Sequence, residues 1–176
     1  NLNLTKAIIS ESQGNPVTTI SGYQTTLALR SPVGQEETIA AFLKYAMSVA
    51  EQVDQNPQLR TAPEAQKLVA ALVAEGNSLF AENRHIMSGL KDSYLAGALN
   101  IRAAISFADE EKPVVSNPEF LARGKAIYEE ALVLSPTRVE FMKVLLEVAK
   151  IEKDTVATKK ILDRLNALRP DVEWEQ

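Results

Sequence analysis

The chain has no cysteine, which removes disulfides, thiolate metal sites and cysteine nucleophiles from consideration and suits an oxidising or a reducing compartment equally. It has one histidine, His85, so a histidine-based triad or a multi-histidine metal site is excluded by count. Glycine is scarce, at 7 of 176 residues, and the sequence contains neither a glycine-rich phosphate cradle nor a Gly-x-Ser-x-Gly elbow. No apolar run approaches the roughly 18 residues that span a bilayer, and no basic leader precedes an apolar stretch. The stretch therefore reads as soluble, with any membrane portion lying outside it. It opens at Asn1 and not at an initiator Met, and is read as an excerpt from a longer protein. Positive charge is also short, with 19 Lys+Arg against 23 Asp+Glu and a net charge of −4. The basic residues are scattered, so nucleic acid is not an expected partner. Strand signals are nearly absent.

What remains is helix-favouring: Ala, Leu, Glu and Lys recur, and breakers fall between the apolar stretches. The length suits one core or a stack of helix pairs. Gly14-Asn15-Pro16 separates two segments, about Leu2 to Gln13 and Pro16 to Arg30, which read as an antiparallel pair. Beyond Ser31-Pro32-Val33-Gly34, residues Ile39, Phe42, Leu43, Ala46, Val49, Ala50 and Val53 share one helical face that should end near Asn56-Pro57. Thr61-Ala62-Pro63-Glu64 has the spacing of a capping box opening the next helix, whose apolar stripe runs Leu68, Val69, Leu72, Val73, Leu79 and Phe80. A further helix is expected from about Ile86 to Ala108, with Ala96, Gly97 and Ala98 small enough for a neighbour to approach closely. Asp109 to Asn117 reads as an exposed loop. Three helices follow it: Pro118 to Leu134, Pro136 to Lys150 capped by Ser135, and Asp154 to Leu168.

The string Ile127-Tyr128-x-x-Ala131-x-x-Leu134-Ser135-Pro136 returns as Ile161-Leu162-x-x-Leu165-x-x-Leu168-Arg169-Pro170, displaced by 34 residues at every matched position. Two short antiparallel helices with their turns use about 34 residues, and stacking such pairs buries the faces that one pair leaves bare. Gly124, Tyr128, Ala131 and Pro136 keep the small, aromatic, small and proline spacing of a tetratricopeptide second helix, and Leu162, Leu165 and Pro170 follow in the last unit with bulkier residues. Met142, Leu145, Leu146 and Ala149 keep only the apolar character of a first helix. The expected fold is all-α: stacked antiparallel helix pairs in a tetratricopeptide-like α-solenoid of about eight helices. Residues 1–57 would be N-terminal helical segments, and 58–176 the repeat-like pairs of the same continuous domain.

No catalytic constellation accompanies this frame. His85 sits in Glu82-Asn83-Arg84-His85, at the polar end of a helix. Adjacent carboxylates at Glu36-Glu37, Glu110-Glu111 and Glu129-Glu130 point about 100° apart on a helix and are poorly placed to share a proton or a metal. Asp109-Glu110-Glu111 supplies too few oxygen ligands for calcium. The better candidates are Glu140, Lys143, Glu147 and Lys150, which step by three, four and three along one polar face where an extended peptide could lie; the competing reading is a set of solubilising ion pairs. Trp174, in the acidic tail Asp171-Val172-Glu173-Trp174, either packs back on the last helix or begins a further unit.

Taken end to end, Leu27-Ala28-Leu29-Arg30-Ser31-Pro32 with Gly34-Gln35-Glu36-Glu37, the Tyr94-Leu95-Ala96-Gly97 helix, and Lys125-Ala126-Ile127-Tyr128-Glu129-Glu130-Ala131-Leu132-x-Leu134-Ser135-Pro136-Thr137-Arg138 form an order of features. This order resembles the soluble C-terminal region of bacterial O-antigen ligase or polymerase-like membrane proteins. The resemblance implies an accessory arm outside the cytoplasmic membrane, beside a membrane-embedded part that performs the glycan chemistry. The expectation is a non-enzymatic scaffold that binds a protein or peptide, without metal or cofactor and meeting a membrane only through other parts of its chain. The alternatives are a self-contained helical enzyme or small-ligand carrier, and a structural oligomerisation domain.

Overall fold

The computed structural model describes residues 16–28, 34–109 and 112–174. Among them run eight helices and one small antiparallel sheet. The helices are α1 (Pro16–Ala28), α2 (Gln35–Gln55), α3 (Pro57–Arg60), α4 (Pro63–Glu82), α5 (Leu90–Ala104), α6 (Pro118–Leu134), α7 (Val139–Glu152) and α8 (Thr155–Leu168). Between α5 and α6, β1 (Ile105–Ser106) pairs with β2 (Val114–Val115), Ile105 facing Val115 and Ser106 facing Val114. The predominantly helical class follows the composition. No described helix is long and apolar enough to cross a membrane. The expected helix from Leu2 to Gln13 and the break at Ser31 to Val33 lie outside the described residues.

Several boundaries are set by local chemistry that pattern alone misassigns. Thr61 does not cap α4. The side chain of Asn56 accepts from the N–H groups of Gln58 (3.0 Å) and Leu59 (3.3 Å), which creates the extra turn α3. Thr61 closes that turn, its hydroxyl donating to Pro57 O, and Ala62, which has no side-chain acceptor, precedes α4. The helix expected from Ile86 to Ala108 is shorter at both ends. Asn83 to Gly89 form turns, and the Gly89 N–H donates to Asp92 Oδ2 at 3.3 Å as α5 begins. At the other end the chain leaves the helix at Ile105 to join the sheet, so the loop expected from Asp109 to Asn117 contains a strand. Two-residue strands are too short for any period-2 pattern to reveal. Ser135 caps the end of α6 and not the start of α7, because Ser135 to Arg138 form the turn between them and α7 opens at Val139. Asn117 and Asp154 do cap their helices, accepting from Phe120 N–H (3.1 Å) and Ala157 N–H (2.9 Å).

Two apolar clusters hold these elements. One joins Tyr23, Ile39, Phe42, Leu43, Leu72, Val73, Phe80 and Leu99, and so runs across residue 57 through α1, α2, α4 and α5. The other joins Ile101, Leu121, Tyr128, Phe141, Leu145, Leu146 and Leu165 through α5 to α8. Helix α5 belongs to both, and Asn77 of α4 and Asn100 of α5 exchange two side-chain hydrogen bonds, of 3.0 and 2.7 Å, in the buried seam. Helices α5 and α6 are antiparallel: Ala104 meets Ser116 and Asn117, Ile101 meets Gly124, and Tyr94 meets Tyr128. Their approach depends on Gly97 and Gly124. A Cβ on Gly124 would lie 2.7 Å from Ile101 Cγ1 and 3.1 Å from the Gly97 carbonyl oxygen. Helices α7 and α8 are joined by a tight turn in which Lys153 adopts a left-handed conformation (φ 58°) and the Asp154 N–H reaches back to Ala149 O.

Candidate functional site

The expected packing positions fall in two groups. Gly124, Tyr128, Ala131 and Leu165 are buried, Leu162 is half-buried, and Pro136 and Pro170 are exposed where their helices have ended. Burial accounts for Tyr128: its ring stacks on Tyr94 with centroids 5.8 Å apart, and its hydroxyl donates to Tyr94 O at 3.1 Å. Desolvation, followed by the electrostatic influence of Tyr94, pushes the phenol well above its ordinary range. The Tyr128 hydroxyl is thus engaged by backbone.

The four polar candidates of α7 do share a face. Glu140, Lys143 and Glu147 are exposed, and Lys150 is half-buried. They are not all free for a ligand. Lys150 pairs with Glu147 at 3.3 Å, and the Lys143 ammonium stands 5.1 Å from the centroid of the Trp174 ring. Trp174 itself packs against the second apolar cluster, and with Lys150, Lys153, Lys159 and Leu162 it lines a cleft of about 560 Å³.

A second groove, of about 400 Å³, opens on another side of α7, between α6 and α8. Met142, Leu145 and Ala149 form its floor, with Leu132, Val133 and Ile161 along the sides. Val133 is 78% exposed. On its rim Lys125 donates to Glu152 at 2.6 Å, Asp154 caps α8 and Arg164 donates to the Pro136 carbonyl, while Glu129 and Lys160 make no ion pair among the described residues. An apolar floor between partly paired rims suits side chains of a partner better than a small ion.

A third concavity was not anticipated. The end of α2, the start of α4 and the α5–hairpin junction enclose a cleft of about 280 Å³. Asp54 organises it. Its carboxylate accepts from Ser106 Oγ (2.5 Å), the Phe107 N–H (2.8 Å) and both terminal nitrogens of Arg102 (3.3 and 3.2 Å). Burial by itself raises the Asp54 pKa, but the hydrogen bonds from Ser106, Phe107 and Arg102 and the Arg102 charge together outweigh it and hold the carboxyl below its ordinary value. Arg102 also donates to Ile105 O at 3.2 Å and lies over the Phe107 ring. The sequence signal was an acid at the edge of the α2 apolar face and an arginine beside the apolar stretch at the end of α5. Charges in such places are retained mainly when paired, but the partner of each, 48 residues away, is not written in the pattern.

His85 is exposed in the turn after α4, and among the described residues no group of three or more metal-type side chains converges. Comparison with models of known protein families, with curated proteins and with solved structures finds no match to this chain.

Proposed function

We propose that this domain is a protein- or peptide-binding scaffold whose helix pairs act as a tetratricopeptide-like stack, and that an extended segment of a partner docks along the groove between α6 and α8. The observation that carries the reading is the groove itself: an apolar floor of Met142, Leu145 and Ala149, with Val133 exposed at its lip and Lys125 paired with Glu152 beside it. Exposed apolar surface rimmed by polar residues is what partner-binding faces present. The recurrence at 34 residues and the close α5–α6 crossing at Gly97 and Gly124 support the stack. The likeness of the quoted strings to O-antigen ligase or polymerase-like proteins supports placing the domain as an accessory arm, outside the cytoplasmic membrane, of a longer glycan-handling protein.

The test is to pan a random peptide library against the purified chain and map the enriched peptides by amide chemical shifts. Binding should perturb residues 125–133 and 157–164 and be lost in Val133→Asp with the circular dichroism unchanged. Peptides that perturb instead the Glu140, Lys143, Glu147 and Lys150 face would move the docking site there. The absence of any enriched peptide would remove the proposal.

A further inference from the structure

We infer that the cleft between α2, α4 and the α5–hairpin junction is a binding site for a small monoanionic carboxylate carrying a short apolar body. Three charged side chains line it: Arg60, Arg102 and Asp54. Arg102 and Asp54 neutralise one another, so the arithmetic of two cations and one anion leaves the cleft with a single uncompensated positive charge, on a chain whose net charge is −4. That charge resides on Arg60. Its guanidinium gives one hydrogen bond, from Nη1 to the Asp54 carbonyl oxygen at 3.2 Å, and among the described residues it has no carboxylate partner. A guanidinium has five N–H groups in a fork that matches a carboxylate, so most of its capacity remains unspent.

The remaining polar lining sharpens the choice. Ser106 Oγ donates to Asp54 and Ser116 Oγ donates to Ala104 O, so neither hydroxyl hydrogen is available to a ligand. Asn117 accepts the Phe120 N–H through Oδ1, and among the described residues its amide NH₂ has no acceptor. The donors left over in the cleft are most of those on Arg60, the Asn117 amide, the second amide hydrogen of Gln66, whose Nε2 also donates to Arg60 O, and the Arg102 N–H groups not spent on Asp54 and Ile105, a set that serves an anionic oxygen. The rest of the wall is apolar and comes from Val53, Val69, Ala70 and Phe120. A concave apolar wall with a few converging polar groups is the usual form of a small-ligand site. The volume, about 280 Å³, equals roughly nine waters at about 30 Å³ each, which is room for one carboxylate and one branched aliphatic side chain. The Arg102–Asp54 bridge fixes the helix ends that form the walls, so the site is preorganised before any ligand arrives.

A free branched carboxylic acid and the C-terminal residue of a peptide present this same chemistry. Titration of the chain with 4-methylpentanoate, N-acetyl-leucine and N-acetyl-leucine amide, followed by amide chemical shifts, tests the site and separates the sources. Both acids should shift the amides of Arg60, Gln66, Ser106, Phe107 and Asn117 saturably, and the neutral amide should bind about tenfold more weakly or worse, since hydrogen bonds to charged groups supply the difference. Tighter binding of N-acetyl-leucine than of 4-methylpentanoate identifies a peptide terminus as the ligand; the reverse order identifies a free acid. Arg60→Gln should lose about tenfold in affinity with circular dichroism unchanged, and Arg60→Lys should retain part of it. Equal shifts from acid and amide, no saturable shift from any of the three, or full binding by Arg60→Gln would each overturn the assignment. None of these outcomes depends on the groove between α6 and α8, which shares no lining residue with this cleft.

Discussion

Gly97 and Tyr128 are in contact across the α5–α6 crossing, the phenol ring lying against the bare Cα of the glycine. A Cβ at Gly97 would be driven into Cε1 and Cδ1 of that ring and would lie 2.9 Å from Cζ. Tyr128 is fully buried between Tyr94 and Phe141 and has no room to withdraw. Gly97→Ala is therefore expected to destabilise by about 1–3 kcal/mol in urea unfolding even after the gain in helix propensity. Gly76→Ala is the control. There the nearest atoms, Leu99 Cδ2 at 2.8 Å and Leu43 Cδ2 at 3.0 Å, are the far ends of flexible side chains and not a rigid ring, so its cost should be smaller than at Gly97. Equal losses at the two glycines would contradict the assigned crossing.

The Asn77–Asn100 exchange predicts strong non-additivity. Replacing either asparagine alone by leucine leaves a buried amide without its partner and should cost about 1–3 kcal/mol. The double replacement removes both polar groups together and should cost clearly less than the sum, a difference that a double-mutant cycle of urea midpoints measures directly.

Asp54 gives the fold an acid-sensitive joint. Its pKa is lower in the folded chain than in the unfolded one, so the unfolded state binds the proton first. The stability it contributes is present above the unfolded carboxylate value near pH 4 and is lost as pH falls through the folded value. In Asp54→Asn the slope of stability against pH below about 4 should become shallower, and the variant should already be less stable at pH 7, because Arg102 is left half-buried without its counter-charge. Thermal unfolding between pH 2.5 and 7 checks both signs. An unchanged acid slope would show that Asp54 is not bridged in solution.

Tyr128 acts at the opposite end of the scale. Burial raises its pKa above the ordinary tyrosine value of about 10, so only the unfolded chain releases the proton as pH passes that value. Its contribution to stability is complete below pH 10 and declines above it. Tyr128→Phe should remove part of that alkaline decline and, by losing the bond to Tyr94 O, cost about 1 kcal/mol at pH 7.

Trp174 is the only tryptophan and therefore reports on one place. Lys143→Ala should alter its emission while changing stability by no more than about 1 kcal/mol, the size of an exposed cation–π contact. An unchanged spectrum would mean that the tail does not lie on α7.

The helices were legible where the apolar period is long and uninterrupted. The face of Ile39, Phe42, Leu43 and Ala46 is buried as the spacing of α2 requires, and Asn117-Pro118 and Asp154 open α6 and α8 because an oxygen acceptor followed by a helical turn is a local event. Legibility failed where local signals competed. Thr61 had the spacing of a cap, but Asn56 and Pro57 had already started a turn that claimed it. Ile105 continued an apolar run that looked helical, yet its pairing with Val115 depends on residues ten positions away. The spacing of Glu140, Lys143, Glu147 and Lys150 set them on one face of α7 but could not show that the Trp174 ring would stand against Lys143.

Composition and periodicity alone determined that this chain is helical, lacks cysteine chemistry and histidine clusters, and has small residues where two helices must meet. These follow from the residue types present and from the 3.6-residue turn, which needs no knowledge of the neighbours. Which groups meet was decided only by tertiary structure: Asp54 with Arg102, Asn77 with Asn100, and the clefts left between α6 and α8 and beside the hairpin. The reason is physical. A helix fixes which side chains share a face, but the angle and offset at which one face settles on another arise from packing of all the side chains at once, and a concave site is the space that such packing leaves unfilled.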